Sequence, residues 1–132
     1  MLRGLLLFGL ASAALCAQDG SQPVIHRTPA ERTSVSSGKE MYRAYCAACH
    51  GTDGKGDGPA SSALRSRPSD LTDLSKRNDG KFPELRVFGA INGDLRVTAH
   101  GSKDMRMGEA DVATVRLRIR NLTKYIESLQ VK

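Results

Sequence analysis

The chain has 132 residues, with 20 Lys and Arg set against 14 Asp and Glu. That length allows one small domain with a modest core, and only three Phe, three Tyr and no Trp are available to fill it. The basic residues are scattered, with no interleaved aromatics and no nucleic-acid-binding motif, so the charge points to steering toward an acidic protein partner and away from nucleic acid.

The first 17 residues read as a signal peptide. Arg3 supplies a positive start, residues 4–15 are an apolar run short for a bilayer span, and small residues follow. Cleavage near Ala17 leaves a soluble protein exported to the periplasm. Cys16 offers the alternative of a lipid anchor on the periplasmic side, although Leu15 stands where bacterial lipoprotein signals usually have Gly, Ala or Ser. Without Arg3, 19 basic residues face 14 acidic ones, a net charge of +5. No second apolar span follows the signal. Residues 18–35, with Pro23 and Pro29 among Gln, Ser and Thr, lack periodicity and read as a flexible linker, and His26 within them as an exposed, inert side chain.

A helix is predicted from Ser37, where Ser37-Gly38-Lys39-Glu40 has the form of a capping box. Met41, Tyr42, Tyr45 and Cys49 continue at helical spacing. Gly38 is costly inside a helix, which suggests close backbone contact with a second helix. This helix leads into Cys46-Ala47-Ala48-Cys49-His50, a C-x-x-C-H run. The spacing sets two thiols on one side of a helical end, each able to form a thioether to a haem vinyl group. The next residue, His50, then offers an imidazole as proximal iron ligand. A thioredoxin-type redox site would want a βαβ pattern, which is missing, and a zinc site would want a second Cys/His pair. Two ordinary thiols or a disulfide are the remaining possibilities. In an exported protein unpaired thiols are normally oxidised, and thioethers would take up both of these. A buried haem would also supply apolar surface that the few aromatics do not.

Residues 51–59 form a glycine-rich loop that lacks both the Lys-Ser/Thr ending of a P-loop and the acidic spacing of an EF-hand. The loop is read as backbone turning tightly along the haem edge, with the Pro59 carbonyl positioned to accept the second ring N–H of His50. Arg65 and Arg67 are candidates to pair with haem propionates. A helical piece is expected at residues 70–77. Another is expected from Pro83 to Asn92, stopped by Gly93, with Leu85, Phe88 and Ile91 facing inward.

The segment 99–108 holds candidates for the second iron ligand. Met105 and Met107 lie in a polar, glycine-bounded loop where burial as core filler is not expected, and His/Met ligation raises the iron potential. His100 offers bis-histidine ligation instead. The last helix is the clearest periodic element, with Val112, Val115, Ile119, Leu122, Ile126 and Leu129 opposite Arg116, Arg120, Lys124 and Glu127. Its stripe is expected to pack across the first helix, with Leu122 and Tyr125 near Gly38 and Tyr42.

Taken together, the chain resembles the class I c-type cytochromes over about residues 36–131. It is most similar to small mono-haem bacterial members related to the haem c subunits of cbb3-type oxidases. The resemblance rests on Gly38-x-x-x-Tyr42, Cys46-Ala-Ala-Cys49-His50-Gly51, Gly54-Lys-Gly-Asp-Gly-Pro59, Ser69-Asp-Leu-Thr72, Ile91-Asn-Gly93, His100-Gly-Ser-Lys-Asp-Met105 and Tyr125-Ile-Glu-Ser-Leu-Gln130. It implies an all-α fold in which the first and last helices cross around one covalently bound haem c, and Met105 as distal ligand. Arg106 stands where the family usually has Pro after the ligating Met, which keeps Met107 as a substitute. The expected function is one-electron transfer by an exported, non-enzymatic carrier whose iron is held by His50 and Met105. The alternatives are a haem subunit permanently bound to a dehydrogenase or oxidase, and, requiring an open sixth position, a gas sensor or small peroxidase.

Overall fold

The computed structural model describes residues 32–100 and 111–131, and all regular structure among them is helical. Four α-helices are present in these residues: α1 (Gly38–Tyr45), α2 (Ala47–His50), α3 (Glu84–Asn92) and α4 (Val112–Ser128). None of the helices in the described residues is long and apolar enough to cross a membrane.

Side-chain caps start α1 and α4. The Ser37 hydroxyl accepts from the Glu40 backbone N–H at 3.2 Å, as its spacing predicts. The other half of the expected box closes differently, because the Glu40 carboxylate accepts from the Ser34 N–H at 3.2 Å and so holds the incoming chain. At α4 the Asp111 carboxylate accepts from the N–H groups of Ala113 and Thr114 and from the Thr114 hydroxyl, at 2.9, 3.0 and 2.7 Å. Helix α3 follows Pro83 and ends at Gly93, whose φ of 77° is the left-handed conformation that glycine adopts without strain.

The core lies where α1 meets α4. Met41, Tyr42 and Leu122 are fully buried there, joined by Ala47 and Ile126. Burying each large apolar side chain contributes about 1.5–3 kcal/mol. The close approach depends on Gly38, since a Cβ at that position would run into the Asn121 carbonyl and come within 2.8 Å of the Tyr125 Cβ. The Tyr42 and Tyr125 rings then sit 5.3 Å apart at a tilt of 51°. The expected neighbours of this crossing are the ones found.

Two expected inward positions point out instead. Leu85 is 88% exposed and Val112 63% exposed. Both fall in the first turn of their helices, beyond the neighbouring element, and Val87 with Ile91 provides the apolar contact from α3. Helix α4 also buries two polar residues, Arg118 and Thr123. The Arg118 guanidinium donates to the Thr33 carbonyl at 3.0 Å, to the Thr33 hydroxyl at 2.6 Å and to the Tyr45 hydroxyl at 3.4 Å. The Asn121 side-chain amide donates to the Val35 carbonyl at 2.9 Å. The chain just before α1 is thus fastened to the middle of α4. The helix expected over residues 70–77 is replaced by turns and a short 3-10 piece, Lys76–Asn78. There the Asp70 carboxylate captures the Thr72 N–H at 2.8 Å and the Thr72 hydroxyl at 2.7 Å, a local bond that competes with helix formation.

Candidate functional site

The C-x-x-C-H run turns directly out of the core. Cys46 ends α1 in helical geometry, its N–H still donating to the Tyr42 carbonyl at 2.9 Å, and α2 continues with the His50 N–H donating to the Cys46 carbonyl at 2.9 Å. Nearly continuous winding therefore sets the two thiols one turn apart on one side. Tyr42 locks the far end, its hydroxyl donating to the Gly51 carbonyl at 2.8 Å in a buried setting. Burial pushes the Tyr42 phenol well above its usual pKa, with Cys46 adding to the effect, so it stays a donor.

Cys46 and Cys49 are half-buried free thiols. Burial, reinforced by Cys49, pushes the Cys46 thiol up to about 12. A redox-active C-x-x-C needs the opposite, a thiol acidified so that the attacking thiolate exists at neutral pH. Among the described residues no group of three or more His, Cys, Asp or Glu could hold a metal ion, so the zinc reading finds no support there.

The His50 ring is fixed from outside its own helix. Its Nδ1 lies 3.0 Å from the Ser69 carbonyl. A carbonyl can only accept, so Nδ1 holds the proton and donates it, and Nε2 keeps a lone pair for a metal. Burial holds the imidazole below its usual pKa, opposed by the Ser69 carbonyl and assisted by His100. The neutral, ligating form is the one favoured at neutral pH. The carbonyl expected to do this was that of Pro59, so the assignment is corrected to Ser69, because the chain doubles back. Gly56, at φ 76°, lets residues 68–69 come close, since a Cβ there would strike the Pro68 carbonyl. The Leu71 N–H then donates to the Gly54 carbonyl at 2.7 Å, setting the register.

The holders of Ser69 come from distant positions. Gln130 spans the segment: its amide donates to the Leu71 carbonyl at 2.6 Å and its amide oxygen accepts from the Ser75 N–H at 2.8 Å. The Val131 N–H adds a bond to the Thr72 carbonyl at 2.9 Å. Arg77 donates to the Asp70 carbonyl at 2.6 Å and pairs with Asp73 at 2.7 Å. The Asp70-x-Thr72 turn has a local signal in the sequence, a short polar side chain two residues before its partner. The Gln130 links have none, since they join residues far apart in the chain.

The remaining sequence candidates fall as follows. Arg65 and Arg67 are exposed. His100 closes a 3-10 turn, Thr98–His100, and its ring centre lies 6.2 Å from that of His50. Met105 and Met107 lie in residues 101–110, outside those described.

The residues present fit a covalently attached haem. Two thiols and an unprotonated Nε2 face out of one short helical end. Beside them Leu71, Leu74, Phe82, Val87, Ile91 and Leu129 pack against the core yet stay only partly buried, an apolar face suited to a flat hydrophobic group. Thiols and imidazole are donors that haem iron and its vinyl groups accept. Neither the curated proteins nor the solved structures give a significant match to this chain. Among protein families, the one described as Cytochrome c matches residues 35–130.

Proposed function

From the premise that the chain belongs to the cytochrome c family, we propose that it is an exported one-electron carrier whose iron is held by His50 and Met105. The family binds haem c covalently, and Cys46 and Cys49 stand in its attachment motif, within an all-α fold of the cytochrome c type. When bound, the haem supplies an iron couple that gains and loses a single electron.

The chain's own residues do the rest. Cys46 and Cys49 tether the group, and His50 offers Nε2 because Ser69 occupies Nδ1. The Tyr42 bond to Gly51 and the Gln130 clamp keep these parts still, so little rearrangement accompanies a change of iron charge. Half-buried apolar side chains from α3 and the 71–82 segment exclude water from one side. Burying a charged centre in such surroundings costs more than burying a neutral one, which favours the reduced state and raises the potential. The polar, glycine-bounded sequence around Met105 supports a thioether as the opposite ligand, with Met107 the substitute. The apolar segment at residues 4–15 behind Arg3 supports export, and the net positive charge supports brief docking with acidic redox partners.

One observation underlies the reading: a C-x-x-C-H turn whose histidine has Nδ1 already bonded to a backbone carbonyl, which leaves Nε2 for the iron. The test is a spectrum and intact mass of exported holoprotein in both redox states. The expected result is a covalent haem adduct, absent in Cys46→Ala/Cys49→Ala. The ferric near-infrared thioether band should disappear in Met105→Ala. Bare sulfhydryls in exported protein from cells competent for haem attachment would overturn the proposal, and a band untouched by Met105→Ala and by Met107→Ala would overturn its ligand assignment.

A further inference from the structure

Among the described residues two imidazoles have the same backbone support and lie side by side. His50 has its Nδ1 bonded to the Ser69 carbonyl at 3.0 Å. His100 has its Nδ1 at 3.2 Å from the Ala90 carbonyl. The same argument applies to both: the carbonyl accepts, so Nδ1 carries the proton and the neutral ring keeps a lone pair on Nε2. A ring nitrogen tied to a backbone carbonyl is the usual support of a metal-ligating histidine.

The position of His100 is built by the elements before it. Helix α3 stops at Gly93, the Asp94 and Leu95 N–H groups both donate to the Gly89 carbonyl, and the chain folds back along the helix. The His100 N–H then closes the 3-10 turn onto the Val97 carbonyl at 2.8 Å, and Ala90 of α3 receives the ring. The result is a ring centre 6.2 Å from that of His50, with the planes inclined at 65° and not stacked. A metal between two imidazoles needs two bonds of about 2 Å, and about 1 Å more separates each ring nitrogen from its ring centre, which gives about 6 Å between centres. The two rings meet edge-on, and their centres lie at about the separation of two imidazoles sharing one metal.

We infer that the iron bound by His50 has a second coordination state in which His100 Nε2 is the opposite ligand. This rests on the haem reading given above. The exchange breaks one iron–thioether bond and forms one iron–imidazole bond. It moves no electron. Replacing a thioether by an imidazole lowers the iron potential, since Met/His ligation is the arrangement that raises it. The chain therefore holds two potentials on one scaffold, and the ligand at the sixth position selects between them.

The experiment uses exported holoprotein in four forms: unaltered, Met105→Ala/Met107→Ala, His100→Ala, and all three substitutions together. The readouts are the ferric spin state by electron paramagnetic resonance and carbon monoxide binding after reduction. The methionine-free protein is expected to stay low-spin with a bis-imidazole signature, to resist carbon monoxide and to show a lower potential than the unaltered protein. Adding His100→Ala should then yield a high-spin iron that binds carbon monoxide stoichiometrically. A methionine-free protein that is already high-spin overturns the inference, as does one whose low-spin signal survives His100→Ala. An unaltered protein that shows the bis-imidazole signature, lost in His100→Ala alone, supports His100 and instead overturns Met105 as the resting ligand. Absence of covalent haem in every form overturns both readings. His100 is exposed and its side chain makes one hydrogen bond among the described residues, so its substitution is not expected to prevent folding.

Discussion

At the scale of single residues, the site is governed by where a few protons sit. The Tyr42 hydroxyl is the pivot, because the side chain is fully buried and donates to the Gly51 carbonyl, directly after the histidine. Tyr42→Phe keeps the ring packing against Tyr125 but leaves that carbonyl short of its partner. The expected cost is about 1–3 kcal/mol, measured by denaturant unfolding of the holoprotein, with the covalent haem retained. The attachment residues were legible because the C-x-x-C-H pattern is entirely local, and Cys46, Cys49 and His50 are found together at one helical end. The partner of His50 was not legible. Pro59 and Ser69 are both carbonyls on returning backbone, and only the register set by Leu71 on Gly54 decides between them.

At the scale of elements, the α1–α4 crossing decides stability. Gly38 was read from the sequence as a close-contact residue, and the Asn121 carbonyl is what it faces. Replacing it with Ala would normally favour a helix by about 1 kcal/mol. Here the new methyl meets backbone, which cannot swing aside, so overpacking at about 1–3 kcal/mol wins. Gly38→Ala is therefore expected to lower the denaturation midpoint, and an unchanged or higher midpoint would show that the helices part without cost. The α4 stripe of Val115, Ile119, Leu122 and Ile126 was legible from its period. Arg118 was not: periodicity puts an arginine in water, whereas here the hydroxyls of Thr33 and Tyr45 and the Thr33 carbonyl accept from its two terminal nitrogens, and only Nε is left buried without an acceptor among the described residues. Leu85 and Val112 show the converse, apolar residues in phase with a stripe that stand exposed in a first turn.

At the scale of the whole molecule, acid is the condition to which the fold should answer. Asp111 is held below its ordinary pKa of 3.8, first by the Thr114 hydroxyl and then by backbone N–H groups at the start of α4. Asp70 is lowered too, first by the Thr72 hydroxyl, in the turn that presents Ser69. A carboxylate with a lower pKa folded than unfolded binds fewer protons in the native state. Its contribution is complete above the unfolded value and is lost as pH falls below about 4 toward the folded value. Unfolding midpoints measured from pH 6 to pH 2 should fall across that lower window. Asp111→Asn and Asp70→Asn, each less stable at pH 6, should show shallower slopes, and slopes equal to that of the unaltered protein would sink the assignment. The Gln130 and Val131 bonds to residues 71–75 carry one more implication. The clasp around the segment that receives the His50 ring joins residues more than 50 positions apart in the chain, 55 for Ser75 and 59 for Leu71. Local winding alone groups the two sulfurs with the imidazole, yet the ring gains its aim only when distant stretches of the chain have met.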